Sequence, residues 1–338
     1  MSRQLSDYDY ILPRELIAQR PLERRDDSRM MVLHRSGEKI EHRKFRELKM
    51  FLETDDLLVL NNTRVLPARQ FSDEGAIEFL FLERLSATRW KCMIKPGRKM
   101  RVGATAKING TLLRVEEITE DGERIVAFER DVDVYAGGSM PLPPYINRPT
   151  DERDTARYQT VFAHSAGAIA APTAGLHFTA KILSKIPHTF VTLHVGPGTF
   201  LPVRSENIEE HRMHAEHFSV SKQAAKKINS ARRVIGVGTT VVRVLETAAR
   251  QTRLAKAFGV EFKDRQIEPQ SGETDLFVYP SFTFRVVNAL LTNFHMPRST
   301  LLMLVSAFAG REFILRAYEE AVRERYRFFS YGDCMLIL

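Results

Sequence analysis

Apolar and polar positions change their period several times along the chain, and the changes divide it. Near the start, "LPRELIAQR" places Pro13 in the first turn of a short helix, where its missing N–H has no partner to lose. "RMMVLHRSGEKIEHR" reads as a hairpin with Gly37 in the turn. "FRELKMFLETDDLLVLNN" reads as a helix followed by an apolar strand ending at Leu60, then the loop "NNTRVLPAR".

The next stretch lacks helical period. "AIEFLFLERL", "RWKCMI", "TAKI", "TLLRVEEIT" and "RIVAFER" are short runs of strand formers. The turn signals "KPGRK", "NG" and "EDGE" separate them. This texture predicts a small antiparallel sheet closed into a barrel or sandwich. It ends in the Gly/Pro-rich exit "GGSMPLPPYINRPTDERD".

Alternation then resumes. Strands are expected at "GAIAA", "TFVTLHV", "RVIGVG", "DLFVY", "RVVNALLTN" and "CMLIL". Helices are expected after "GLHFT", at "KQAAKKINSARR", "TVVRVLETAARQ" and "TLLMLVSAFAG", and near 312–325. Strand–helix alternation of this kind builds a layered α/β sheet. The expected architecture is a discontinuous α/β catalytic domain, residues 1–66 plus 149–338, with an inserted small antiparallel β-barrel domain at 67–148. Two sequential domains would leave "DDLLVL" unpaired.

Composition changes this picture little. The 338 residues are 43% hydrophobic and 27% charged, enough to bury a sizeable core. Lys+Arg number 50 against 42 Asp+Glu, a net charge of +8, which is compatible with a polyanionic partner without proving one. Cys92 and Cys334 stand far apart and outside any CxxC context, against a disulfide framework or a thiolate zinc site. The N-terminus has no apolar signal-peptide core. The longest apolar run, "LLMLVSAFAG", is about half of what a bilayer requires. The expectation is a cytoplasmic, monomeric protein with no membrane partner.

Several loops carry chemistry. "RVIGVGTTVVRVLET" is a strand, a Gly236–Gly238 turn and a helix, whose first N–H groups suit an anion or a carboxylate. It lacks the third glycine of a dinucleotide fingerprint and the GK[ST] of a P-loop, and a tight turn with a threonine cap explains it equally well. "AAPTAGLHFT" and "TLHVGPGTFLPVR" set His177 and His194 beside glycines at or near strand ends, where open α/β sheets line their ligand crevices. "LLTNFHMPRSTLL" puts Asn293 and His295 in a polar loop between two apolar elements, before a helix capped by Ser299 or Thr300. Asn61, Asn62, Thr63 and Arg64 follow a buried strand and suit the edge of a base or ribose; the plain alternative is a turn whose Asn residues bond their own backbone.

"RWKCMIKPGRKMR" holds six basic residues and no acid, with Trp90 among them. Basic side chains contact phosphates and an aromatic can stack on a base, so Trp90, Lys95, Arg98 and Lys99 are candidates for RNA contact. A solvated hairpin is the alternative.

"EEHRMHAEHF" spaces His211, His214 and His217 by three. On a helix this winds about 300° per step, so the outer two drift apart. Zinc-binding helices use i, i+4 with a further ligand elsewhere, and Arg212 would oppose a cation. No metal is expected; an acid–base or orienting role remains for His214 and Glu216.

Taken in order, "DYDYILPRELIAQRP", "LLVLNNTRVLPAR", "MPLPPYI", "AAPTAGLHFT", "TLHVGPGTFLPV", "EEHRMHAEHF", "RVIGVGTTVVRVLET", "TNFHMPRSTLLMLVSAFAG" and "YRFFSYGDCM" closely resemble the S-adenosylmethionine:tRNA ribosyltransferase-isomerase family of queuosine biosynthesis. The resemblance runs from about residue 7 to 335. It implies an α/β domain carrying a β-barrel, and bacterial cytoplasmic enzymes. It implies transfer of the ribosyl part of S-adenosyl-L-methionine to 7-aminomethyl-7-deazaguanine in the tRNA wobble position, giving epoxyqueuosine-tRNA, adenine and methionine. The partner would be tRNA carrying the deazaguanine precursor; no metal is called for. The chain departs from the family pattern in "AHSAGAIAAP", which lacks a lysine and a proline before its glycine, and at His217 and Cys334.

Such chemistry needs a base for a C5′ proton made acidic by the sulfonium, and an acid or hydrogen-bond donor near the departing adenine. His177, His194, His214 and His295 form the expected pool for proton transfer. Arg204, Asn293 and Glu216 would orient groups or balance charge. Thr239 and Thr240, with the backbone of Gly238, are candidates for the donor's carboxylate. Two other readings compete: a methyltransferase using the same donor, and a non-catalytic RNA-binding protein. The first would want a fuller glycine loop early in the chain.

Overall fold

The computed structural model describes residues 3–196, 198, 203, 205–256 and 266–338. In chain order the strands and helices are β1 Arg29–His34, β2 Lys39–Lys44, β3 Asp56–Asn61, β4 Thr63–Val65, β5 Arg69–Phe71, β6 Glu78–Arg84, β7 Arg89–Lys95, β8 Thr105–Ile108, β9 Thr111–Ile118 and β10 Arg124–Phe128. There follow α1 Glu152–Arg157, β11 Ser165–Ala168, α2 Ala180–Leu183, β12 His188–Leu193, β13 Glu216–Val220, α3 Lys222–Ser230, β14 Arg233–Val237 and α4 Thr239–Lys256. The chain closes with β15 Gln270–Thr274, β16 Ala289–Asn293, α5 Thr300–Ala309, α6 Arg311–Arg323 and β17 Cys334–Ile337.

The larger sheet has nine strands in the order β15-β13-β12-β3-β14-β16-β17-β1-β2. Its centre, β12-β3-β14-β16, is parallel. β3 reads "DLLVLN" because both its faces are covered, and all six of its residues are buried. Leu57 and Val59 face one core with α3 to α6, while Leu58 and Leu60 face the other with Phe45, Phe178 and Leu183. This is the period-2 alternation of a strand between two layers. "DDLLVL" is therefore the middle of the sheet, paired with β12 and β14 from the second half of the chain.

Strands β5 to β10 form a separate six-stranded antiparallel sheet in the order β5-β6-β7-β10-β9-β8. Phe79, Phe81, Trp90, Cys92, Val115 and Val126 fill its concave side. The sheet curls like half a barrel. Beyond the paired strands, its edges meet where the Asp73 amide donates to the Lys107 carbonyl at 2.9 Å. β4 and β11 make a two-stranded parallel ribbon.

Some expected elements differ. "FRELKMF" is a 3-10 helix rather than an α-helix. The strand expected at "DLFVY" does not form: the segment before it, β15, pairs as an edge with β13, while Leu276 and Val278 are buried outside any ladder. "EEHRMHAEHF" is not a helix: a single 3-10 turn at Ile208–Glu210 leads through an extended segment into β13. The helical spacing argument about its histidines therefore has no helix to act on. Among the described residues, no helix is long and apolar enough to cross a membrane.

Candidate active site

The four central parallel strands all end at one edge of the sheet, and each hands over to a polar segment. β3 ends at Asn61, β12 runs into His194, β14 into Gly238, and β16 at Asn293. β12 and β14 flank β3 on opposite sides, so connections from this point run to opposite sides of the sheet. That is where an open α/β sheet forms its crevice.

At the ends of β14 and β16 lies a small cavity of about 70 Å³. Gly238, Thr239, Thr240, Thr292, Asn293 and His295 supply its polar lining, with Tyr145, Phe329 and Val195 among its apolar walls. Gly238 takes φ +92°, a left-handed conformation that glycine tolerates, and its amide donates to the Leu291 carbonyl at 2.8 Å. The chain thus turns from β14 into α4 with the helix N-terminus at the cavity. Two buried polar atoms here, Thr240 Oγ1 and Asn293 Oδ1, have no hydrogen-bond partner among the described residues. Buried polar groups are normally paired, so two in one cavity indicate a ligand's place. Among the described residues no Asp, Glu, Lys or Arg side chain lines this space, and its one imidazole is that of His295. Burial lowers the pKa of that imidazole to about 3, so it is neutral. His295 Nε2 lies 2.9 Å from Thr292 Oγ1, and its main chain is held by Tyr318 and Tyr10.

A second cavity, of about 740 Å³, opens between the two sheets. His194, Gly196, His214 and Glu216 line it from one side, and Glu83, Lys91, Met93 and Glu123 from the other. Val195 lines both cavities. His194 is half-buried, with Nδ1 2.9 Å from Thr63 Oγ1. Thr63 Oγ1 can donate onward to the Ser165 carbonyl at 3.4 Å. A threonine hydroxyl has one proton, so this arrangement has Nδ1 as the donor and leaves Nε2 as a lone-pair acceptor. Gly167 lies directly beneath the ring, where a Cβ would come within 2.7 Å of Nδ1. Burial, then the charge of His217, lowers the His194 pKa, favouring the neutral base.

Glu216 is buried and committed. One carboxylate oxygen accepts from the Gly196 amide at 2.8 Å and the other pairs with Arg243 of α4. Arg243 in turn donates to the carbonyls of Leu276 and Thr274 at 3.1 and 3.0 Å. Glu216 therefore anchors the loop after β12 rather than offering a free carboxyl.

His177 reaches neither cavity. It lines a space of about 20 Å³ behind the first one, with Arg24, Arg25 and Arg157. The four histidines thus divide: His194 and His214 share the large cavity, His295 lines the small one, and His177 touches the small one only through Asn293.

The sequence matches the family described as "Queuosine biosynthesis protein" over residues 5–337. The chain belongs to that family. Relatives named S-adenosylmethionine:tRNA ribosyltransferase-isomerase include one from Thermotoga petrophila, 49% identical over 99% of this chain and all of the relative. One from Halothermothrix orenii is 47% identical over the same shares. The crystal structure of S-adenosylmethionine tRNA ribosyltransferase from Thermotoga maritima matches with a TM-score of 0.55 at 41% identity, over 98% of this chain and all of that one.

In this queuosine biosynthesis protein the residues expected to meet RNA fall into three groups. Lys95, Arg98 and Lys99 are exposed around the turn after β7, and none has an ion-pair partner among the described residues. Arg64 is exposed. Asn61 is spent on the fold: its Nδ2 donates to the Leu193 carbonyl at 2.9 Å and its Oδ1 accepts from the Leu193 and Thr63 amides, whereas half-buried Asn62 has its Oδ1 accepting from Thr192. Trp90 is only 3% exposed, packed edge-on against Phe81 and Tyr135. The expectation that it stacks on a base is corrected by this burial, since its faces already serve the β core. Arg204 lies outside the described residues.

Sequence reasoning passed over Arg243, Glu246, Tyr145 and Phe329, and offered Thr63 for a base or ribose edge rather than as the partner of His194. Glu246 is fully buried and accepts from the amides of Arg285, Val286 and Val287, which sets the approach to β16. A charged pair inside "VVRVLETAA" was the available signal. Among the described residues no group of three or more His, Cys, Asp or Glu is arranged to hold a metal ion.

Proposed function

We propose that this enzyme transfers and isomerises the ribosyl moiety of S-adenosylmethionine onto 7-aminomethyl-7-deazaguanine at the wobble position of tRNA. The products are epoxyqueuosine-tRNA, adenine and methionine. The observation that carries the reading is the adjoining pair of cavities at the ends of the parallel strands. One is small and has unpartnered polar atoms; the other is large, open and lined with imidazoles.

Gly238, Thr239, Thr240 and Asn293 hold one end of the donor. An engineered cavity of about 150 Å³ takes one benzene, so a space half that size takes an end group and not the whole nucleoside. The donor then extends past Val195 towards the large cavity, where the deazaguanine enters between the sheets. The sulfonium acidifies the C5′ protons, and His194, whose Nδ1–H donates a hydrogen bond to Thr63, removes one through Nε2; His214 is the second imidazole lining that space. His295 remains a neutral hydrogen-bonding group beside the donor. Glu216 acts by holding the Gly196 loop.

Residues 67–148 serve as an inserted β-barrel unit on a catalytic domain built from 1–66 and 149–338. Lys95, Arg98, Lys99 and Arg64 contact the tRNA backbone. The enzyme acts in the cytoplasm as a monomer, and no metal enters the reaction.

The test is incubation with tRNA bearing the deazaguanine precursor and S-adenosylmethionine labelled in the ribose or in the methyl group. Free adenine with ribose label on RNA is the expected result. Methyl label on RNA would mark a methyltransferase, and no label a binding protein; either would overturn the proposal.

A further inference from the structure

Asn293 sits at the end of β16 with its amide nitrogen surrounded by acceptors. Nδ2 lies 3.2 Å from the carbonyl of Phe329, 3.2 Å from that of Asp333 and 3.2 Å from His177 Nε2. Turning the amide over would set its oxygen against two carbonyls, so the orientation is fixed. Oδ1 is left buried, without a partner among the described residues, on a residue that lines the small cavity.

The same contacts fix His177. The amide has two N–H for three acceptors, so one is shared. In either arrangement a hydrogen on Nε2 would face the NH2 group, which has no lone pair to offer; Nε2 therefore carries the lone pair. The proton is therefore on Nδ1, 2.9 Å from Ser28 Oγ, which donates to the Arg25 carbonyl at 3.2 Å. A protonated imidazole would turn N–H against N–H at Asn293. Burial, with Arg25 and Arg327 nearby, lowers its pKa to about 3. Nothing in this arrangement lets His177 deliver a proton to a substrate.

We infer that His177 is a positioning residue: through Ser28 and its own Nε2 it holds Asn293 so that Oδ1 accepts an N–H of the bound sulfonium donor. This rests on the proposed function and deepens it. S-adenosylmethionine has two such groups, the amine of its adenine and the ammonium of its methionine. A neutral acceptor serves either.

Calorimetry on the full-length enzyme separates them. The probes are S-adenosylhomocysteine, its inosine counterpart lacking the adenine amine, and its counterpart lacking the α-amino group. In the wild type, the probe missing the accepted N–H should bind about tenfold more weakly, the scale of one buried hydrogen bond. In N293A that difference should vanish for this probe and persist for the other. H177Q, whose amide oxygen can replace Nε2, should keep the difference, whereas H177F should lose it. In turnover H177Q should fall no more than about tenfold with an unchanged pH profile; loss of a proton-transfer group would cost about 10²–10⁴. Equal discrimination in folded N293A and wild type would overturn the inference, as would a hundredfold turnover loss in H177Q with unchanged binding. Wild-type enzyme that bound none of the probes would overturn the proposed function itself, and the inference with it.

Discussion

Glu216 and Arg243 form a buried ion pair that ties the start of β13 to α4, at side-chain exposures of 6% and 4%. Because Glu216 also accepts from the Gly196 amide, the pair fixes the backbone two residues beyond His194, in the wall of the large cavity. Removing one partner strands a buried charge, which costs about 3–5 kcal/mol. Arg243→Met should lower stability by that amount in denaturant unfolding, and the double change with Glu216→Leu should recover part of it. A double variant no more stable than Arg243→Met would show that the stranded carboxylate is not the cause.

In the proposed reaction His194 is the base, and its hydrogen bond with Thr63 sets its tautomer. His194→Gln should reduce turnover by about 10²–10⁴ without a matching change in donor binding. Thr63→Val should cost less, and Thr63→Ser should restore most of the loss, because serine keeps the hydroxyl that receives Nδ1–H. Single-turnover rates check this; equal rates in the Val and Ser variants would remove Thr63 from the role.

The pattern of the chain reveals the two sheets well and the site only partly. β3, β14 and β16 are legible because strands covered on both faces read as unbroken apolar runs. β13 and β15 are not: they pair antiparallel at the sheet edge, and "EHFSV" and "QSGET" carry too little apolar alternation to mark a strand. Glycine-flanked loops point to residues that line the two cavities, Gly238–Thr240 in the small one and His194 in the large one, because glycine sits where the backbone must turn at a strand end. The role of His177 is not legible, since a histidine behind a site and one within it have the same local sequence. Trp90 misleads for a related reason. Its neighbours are basic and exposed, but strand alternation turns Trp90 itself inward and leaves the charges outside.

RNA contact should therefore depend on the lysines and arginine of the β7 turn and not on Trp90. Changing Lys95, Arg98 and Lys99 together to Ala should weaken tRNA binding and flatten its dependence on salt, as fewer counterions are released. Binding of S-adenosylhomocysteine should be unaffected. Trp90→Ala should instead lower stability by about 3–5 kcal/mol, the cost of emptying a large core site, while Trp90→Phe should leave tRNA affinity in place. Filter binding across a salt series reads the first effect, and an unchanged slope in the triple variant would relocate the RNA surface.

Stability should fall as the solution is acidified, partly through two buried imidazoles. His177 and His295 have pKa values pushed down to about 3 by burial, against an ordinary value of 6.5. Between these limits the unfolded chain binds a proton at each site that the folded chain refuses, so their contribution is complete above 6.5 and is lost as pH falls towards 3. Each imidazole adds a slope of about 1.4 kcal/mol per pH unit within that window. Carboxylates act there too, and a comparison of variants isolates the histidine term. His177→Gln does not titrate, so its unfolding free energy should decline less steeply from pH 6 to pH 4, by about one proton. Urea unfolding at half-unit pH intervals measures this, and parallel curves for the two proteins would mean that His177 takes up its proton in the folded state.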